Sequence, residues 1–302
     1  MKKIFIWSLA AIFVVGMAAC KKDDPVPSSS SGDIDDIPAT IPGFDENGAS
    51  YALFSVSETK QVRFSRGNLQ YKASTNTWRF AGHQYDFVGE GNANISSTYN
   101  GWIDLFGWGT SGWNSGAVCY QPWDTSRTPT NYLSAESFTD QYMEADWAWH
   151  NAIQNGGNRS HMWRTLSVKE WMYLIGGFAN EEERPNAREK SGHAIVGNIY
   201  GTIILPDTYA FPNGITFSRE REAPTYTMEE WAAMEAAGAV FIPAAGARYG
   251  NYILLTTEEY GEIGKYWTAN GGLFMVLLRG YLGAGQGGTT KTPGFSVRPV
   301  LD

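Results

Sequence analysis

Residues 167–177 read SVKEWMYLIGG, and no other stretch carries so sharp a local signal. Ser167 and Glu170 stand three apart, the spacing at which each side chain satisfies the other's free backbone N–H at a helix start. Val168, Trp171, Met172 and Ile175 then fall at i, i+3, i+4 and i+7, a single apolar face. Gly176 and Gly177 stop the run. TMEEWAAMEAAG (227–238) repeats the device: Thr227 and Glu230 cap, Trp231 and Met234 share a face, and Gly238 terminates. Both read [ST]-x-x-E-W, a pattern that recurs by chance, so no duplication is inferred.

Around these two helices the period changes to two. YALFSVS (51–57), QVRFSRGNLQY (61–71) and NTWRFA (76–81) alternate between Gly and Asn punctuation and read as strands and hairpins. GTIILP (201–206), AVFIPA (239–244), YILLT (252–256), KYWTA (265–269), LFMVLLRGYL (273–282) and GFSVRPV (294–300) are further strand candidates. DWAWHNAIQ (146–154) predicts a short helix ending at Gly156–Gly157. Residues 82–132 are rich in Gly, Asn and Trp without a period, and read as long ordered loops. The fold class is α+β, loop-rich, with short strands and a few short helices.

Composition fits this. The chain has 302 residues, 14% of them aromatic, with 34 glycines, and only 18% are charged, too few for long solvated helices. The net charge of −8 excludes a basic nucleic-acid footprint and attraction to anionic membrane surfaces.

The chain begins MKKIFIWSLAAIFVVGMAACKKDD. Lys2 and Lys3 precede an apolar run, Ile4 to Ala19, that is shorter than the ~20 residues of a comfortable membrane span and suits a signal peptide. MAAC resembles a lipobox with Cys20 as the lipidated residue; the plainer reading is a secretory peptide cut after an Ala-x-Ala-like site. CKKDD resembles the Lys-plus-acidic tag that sends lipoproteins of Bacteroidota to the outer face of the outer membrane. The expected organisation is a leader over 1–19, a lipidated cysteine and flexible Ser/Pro/Asp tether over 20–48, and one domain over 49–302. Cys119 is then the sole cysteine of the body, unable to make an internal disulfide, and reads as a small buried hydrophobe.

WRTLSVKEW (163–171) resembles the R-L-P-T-x-x-E-W pattern of the formylglycine-generating, sulfatase-modifying branch of the C-type lectin fold. FIPAAGAR (241–248), YWTA (266–269) and GFSVRPV (294–300) continue the resemblance in order. FSVS…RFSRGNLQY, NTWRFA…QYD, WIDLFGWGTSG and ILPD are similar to segments of surface lipoproteins related to the Fibrobacter succinogenes major paralogous domain. The resemblance spans residues 50–302 and implies a C-type lectin-like fold of the formylglycine-generating-enzyme type. It also implies that NGWIDLFGWGTSGWN (100–114) is scaffold. Each tryptophan there would bury roughly 150–250 Å², with Trp113 and Trp123 nearest the surface.

Catalysis is not expected. The formylglycine-generating relatives use a cysteine pair that binds copper, and the body has one cysteine. His83, His150, His161 and His193 stand apart in sequence, without the clustered spacing of a three-histidine iron site. No G-x-S-x-G, H-E-x-x-H or P-loop occurs. Arg164 and Glu170 read as a cap and salt bridge, and EEERPNAREK (181–190) as a solvated loop. The carboxylates Asp104 and Asp124 cannot be placed relative to each other. QPWD (121–124) only approaches the calcium and sugar motifs of classical C-type lectins. No cofactor is expected beyond, at most, a structural calcium ion. The remaining classes are an enzyme related to formylglycine-generating oxidases with an unrecognised site and a structural adhesin component.

The resemblance places variation near the C-terminus. Some similar lipoproteins are targets of a diversity-generating retroelement, with YW before the variable stretch and SVR after it. Here these are Tyr266–Trp267 and Ser296–Arg298. Between them Leu273 to Leu278 is six apolar residues without alternation, either a strand buried on both faces or one offering an apolar face to a partner. The stretch is more apolar and Gly-rich than the relatives' Ser/Asn/Asp/Tyr-rich segments. The expected ligand patch is Arg248, Tyr249, Asn251, Asn270, Arg279, Tyr281 and Gln286, binding an extracellular protein or glycan from an outer-membrane, cell-surface anchor.

Overall fold

The computed structural model describes residues 37–114, 120–176, 182–217, 223–287 and 290–302. The leader over 1–19, Cys20, the tether up to residue 36, Cys119, Gly177 and Glu181 lie outside the described residues. The fold is mixed α+β, rich in short sheets and long loops. In chain order come β1 (Phe54–Ser55), β2 (Gln61–Phe64), β3 (Leu69–Lys72), β4 (Thr77–Phe80) and β5 (Trp102–Ile103). Helices α1 (Trp147–His150) and α2 (Val168–Ile175) follow. Then come β6 (Ser191–Val196), β7 (Ile199–Ile204), β8 (Thr225–Tyr226), α3 (Met228–Ala236), β9 (Val240–Pro243), β10 (Ala247–Tyr249) and β11 (Tyr252–Leu254). Last are β12 (Thr256–Thr257), β13 (Gly261–Trp267), β14 (Phe274–Leu278), β15 (Tyr281–Gln286) and β16 (Val300–Leu301). They form sheets ordered β1-β2-β16, β4-β3-β5, β8-β6-β7-β9, β10-β11 and β12-β13-β14-β15.

Both predicted capping boxes are present. Ser167 and Glu170 close one at the start of α2, and Thr227 and Glu230 close the other at the start of α3. α2 ends at Gly176, whose φ of 82° only glycine adopts without strain. α1 is shorter than predicted. It stops at Asn151, whose side-chain amide donates to the Trp147 and Ser111 carbonyls and so ends the helix after one turn.

β14 explains the unbroken apolar run. Phe274 and Val276 face one hydrophobic cluster, which contains Trp108, Trp147, Trp163 and Trp267. Met275 and Leu277 face a second cluster, with Phe64, Trp171, Leu174 and Tyr266. The strand is a partition between two cores and so shows no polar alternation. This corrects the alternative in which one apolar face of the strand is offered to a partner. β13 does the same, with Tyr266 in one cluster and Trp267 in the other.

The tryptophan-rich loop is scaffold. Trp102 and Trp108 are buried, and Trp108 stacks on Phe138 at 4.3 Å while its Nε1 donates to the Thr268 carbonyl at 3.0 Å. Trp113 and Trp123 are half-buried.

Three expectations need correction. The packed body reaches upstream of Ala49, since Ile41 and Phe44 are buried. Within the charged run, Arg184 and Ala187 point inward three residues apart. Arg184 donates to the carbonyls of Leu174 and Leu205 at 2.8 and 2.9 Å, so this segment is pinned to the core by its guanidinium. GFSVRPV forms isolated bridges, Phe295 to Phe106 and Ser296 to Tyr266, and pairs as a strand only at β16.

Candidate binding site

The two sequence landmarks of the C-terminal stretch meet in space. Tyr266 bridges Ser296 in parallel register; Trp267 N–H donates to the Ser296 carbonyl at 2.9 Å, and Ser296 N–H to the Lys265 carbonyl at 3.0 Å. The chain between them is therefore closed at its base by buried backbone, and its far end is the β14–β15 hairpin. Leu278 pairs with Tyr281, and the turn is Arg279–Gly280, with Gly280 at a φ of 79°.

Arg279 and Tyr281 lie at that turn, whereas Gln286 pairs with Phe274 at the opposite end of β15 and only its side chain reaches back to Tyr281. The Arg279 side chain is 62% exposed and its Nη2 donates to Glu262 Oε2 on β13 at 3.1 Å. Its guanidinium lies 5.9 Å from the Tyr200 ring centre. Tyr281 is 37% exposed, and its hydroxyl accepts a hydrogen bond from Gln286 Nε2 at 2.7 Å. The phenol crosses over Gly283, where a Cβ would lie 2.7 Å from the hydroxyl. From the other side, α2 packs on β15: Met172 Cε would stand 2.5 Å from a Cβ at Gly285. The hairpin is a polar, aromatic tip on a buried root.

A second tip is the β10–β11 hairpin. Tyr249 pairs with Tyr252 across Gly250–Asn251, and Gly250 has a φ of 66°. Asn251 is exposed, and Tyr249 is half-buried with its hydroxyl accepting from Lys265 Nζ at 3.1 Å. Tyr252, 62% exposed, is the residue that the sequence reading passed over. Its signal was present: it stands directly opposite Tyr249 in a two-residue hairpin.

Two of the expected patch residues have other work. Arg248 is fully buried, which removes it from any ligand surface. Its Nε, Nη1 and Nη2 donate to the carbonyls of Leu105, Gly250 and Asp124 at 3.2, 2.9 and 3.3 Å. Its backbone exchanges two hydrogen bonds with Gly294, each 2.8 Å. Burial lowers its pKa to about 10, partly opposed by Tyr132 and Asp124. Alternation along β10 places Arg248 inward and Tyr249 outward. Asn270 is half-buried, and its Oδ1 accepts from the Val168 N–H at 2.9 Å, adding a cap to α2.

Asp104 and Asp124 are both buried and committed to backbone and side-chain donors. Asp104 accepts from Val88 N–H at 2.9 Å and Asn92 Nδ2 at 2.8 Å. Asp124 accepts from the Tyr132 hydroxyl at 2.8 Å and Ser126 N–H at 3.0 Å. Two histidines that stand apart in sequence do converge: His150 Nδ1 and His161 Nε2 lie 2.6 and 2.9 Å from opposite oxygens of Glu144. Among the described residues no three His, Cys, Asp or Glu side chains gather as they would around a metal ion. Among them, too, no helix is long and apolar enough to cross a membrane.

No family model, curated protein or solved structure matches this chain.

Proposed function

We propose that the chain is a surface-anchored lipoprotein with a C-type lectin-like body of the formylglycine-generating-enzyme type. It binds an extracellular protein or glycan through its C-terminal face without catalysis. The supporting observation is the closure of the C-terminal stretch at Tyr266 and Ser296, from which the β14–β15 hairpin projects with Arg279 and Tyr281 exposed at its turn. A rigid root with a polar-aromatic tip is how loops carry recognition, and Arg and Tyr are the residue types that dominate binding energy. In this reading Arg279 and the hydrogen-bonded Tyr281–Gln286 pair supply contacts from the β14–β15 hairpin, and Tyr249, Asn251 and Tyr252 from the β10–β11 hairpin.

The test is a screen of the purified protein against glycan and extracellular-protein arrays, repeated with Arg279→Ala/Tyr281→Ala. Loss of a specific hit with an unchanged melting temperature supports the reading; a hit that survives the double variant refutes the assigned face. Sequencing the 3′ end of the gene across a population tests diversification, since substitutions confined to adenines between the Tyr266 and Ser296 codons are its mark. Palmitate labelling lost in Cys20→Ala tests the anchor.

A further inference from the structure

The two hairpin tips differ in how their cations are met. At the β14–β15 turn Arg279 is paired with Glu262. Glu258 and Glu259 stand exposed just before Gly261, where a Cβ would lie 3.5 Å from Arg279 Nε. An anion approaching that turn competes with acids of the chain itself.

The β10–β11 tip has cations without acids. Arg127 lies over its turn, with Cδ 3.3 Å from where a Cβ would stand on Gly250. Arg127 is exposed, and its guanidinium makes no ion pair or hydrogen bond to the described residues. Asp124, the acid of its own loop, is buried and turns its carboxylate to the Tyr132 hydroxyl and the Ser126 N–H. Lys265 is half-buried, its Nζ 5.3 and 5.4 Å from the ring centres of Phe274 and Phe295, and among the described residues no carboxylate pairs with it. Arg63, Arg164, Arg184 and Arg279 each hold an acid of this chain. In a protein of net charge −8, two cations left unpaired beside one hairpin make that hairpin the place for an anion.

The same tip has unfilled hydrogen-bonding groups. The Tyr249 oxygen accepts from Lys265 Nζ at 3.1 Å, so its own proton remains to donate, and no described acceptor takes it. The Asn251 amide and the Tyr252 hydroxyl make no side-chain hydrogen bond to the described residues either. The Tyr252 side chain is 62% exposed, an open aromatic ring beside these donors.

We propose that the β10–β11 tip takes up a uronic acid residue of a glycan, which rests on the binding face assigned above and names the chemistry of its ligand. The carboxylate goes to Arg127, whose guanidinium offers the paired N–H donors that a carboxylate accepts. Lys265 adds positive potential from behind Tyr249. The sugar ring lies against Tyr252, because the negative face of a phenol ring attracts the polarised C–H groups of a pyranose. Tyr249 and Asn251 meet its hydroxyls. The open ring beside unfilled donors favours a sugar over an acidic peptide, which would use the cations alone.

The test is calorimetric titration of the full-length protein with oligosaccharides of galacturonan, alginate and hyaluronan, with the methyl ester of each, and with poly-L-glutamate. At least one uronan is expected to bind tighter than ~1 mM at ~50 mM salt, at least ~10-fold tighter than its neutral ester, and more weakly as salt rises. Arg127→Gln is expected to bring the acid-to-ester ratio to within ~2-fold of one with an unchanged melting temperature. Binding of no uronan at ~10 mM overturns the proposal, as do equal affinities for acid and ester. A ratio that Arg127→Gln leaves unchanged, or poly-L-glutamate binding tighter than every uronan, overturns it too. The face itself is read from Arg279→Ala/Tyr281→Ala, which removes no charge from the β10–β11 tip and so weakens acid and ester alike. If that double variant binds both undiminished, the assigned face fails while the acid-to-ester ratio still decides Arg127.

Discussion

Arg164 and Glu170 are joined by two parallel hydrogen bonds, Nη1 to Oε2 at 2.9 Å and Nη2 to Oε1 at 2.7 Å. The same Oε2 accepts from the Ser167 backbone N–H at 2.8 Å, so one carboxylate both caps α2 and pairs with the guanidinium. Arg164 also exchanges backbone hydrogen bonds with Val300, which ties the helix start to the C-terminal strand. The two side chains are only 15% and 16% exposed. Glu170→Ala therefore strands a partly buried guanidinium and is expected to cost about 2–4 kcal/mol in urea unfolding. Asp302→Ala removes the other acid on Arg164, but Asp302 is 52% exposed and its loss should cost under ~1 kcal/mol. Equal costs would show the Glu170 pair to be an ordinary surface contact.

Trp171 and the β14–β15 tip should separate stability from binding. Trp171 is 1% exposed and packs against Phe64 with ring centres 6.0 Å apart. Trp171→Ala is expected to cost about 3–5 kcal/mol. Arg279→Ala/Tyr281→Ala deletes exposed groups and should stay within ~1 kcal/mol of the parent protein. Thermal or urea unfolding of both decides it. A loss of several kcal/mol in the double variant would mean that the tip is part of the core.

Asp104 makes stability fall as pH rises through the mildly acidic range. Burial raises its pKa to about 6 despite hydrogen bonds from Asn92 and Val88 that favour the charged form. The folded protein therefore holds this proton more tightly than the unfolded chain. The contribution is fully present below about pH 4 and lost by about pH 6, on the order of 2–3 kcal/mol. Asn at this position cannot titrate. The stability of the parent protein minus that of Asp104→Asn should fall between pH 4 and 6 and level off above. A difference that does not change across this window would assign Asp104 an ordinary pKa.

The sequence was most informative where one local rule decides the structure. The two capping boxes needed only a three-residue spacing, and the unbroken apolar run of β14 already suggested burial on both faces. β6 was not recognised, because SGHAIV opens with Ser191, Gly192 and His193 and shows no alternation. It is an interior strand between β8 and β7, and backbone pairing holds it. Arginine was the hardest residue to read. Arg184 and Arg248 look like surface charges in sequence, but each reaches backbone carbonyls far along the chain that no local pattern reveals. The meeting of His150 and His161 on Glu144 likewise depends on the path of an irregular loop.

Arg248 is the position where that distinction is most easily measured. Its guanidinium reaches the carbonyl of Gly250 in its own hairpin and those of Leu105 and Asp124, two segments distant in sequence. Arg248→Ala leaves those carbonyls without their donor and opens a hole beside Gly294, whose position would put a Cβ 2.9 Å from the Arg248 Nε. The expected cost is about 3–5 kcal/mol, with loss of any ligand binding only in proportion to unfolding. Asn251→Ala, three residues on and exposed, should change stability by no more than ~0.5 kcal/mol. If the β10–β11 tip belongs to the binding face, Asn251→Ala and Tyr252→Ala weaken the ligand in a fully folded protein, whereas Arg248→Ala weakens it only by depleting the folded state. Binding measured beside circular dichroism on the three variants separates these. A fully folded Arg248→Ala protein that no longer binds would return Arg248 to the ligand patch.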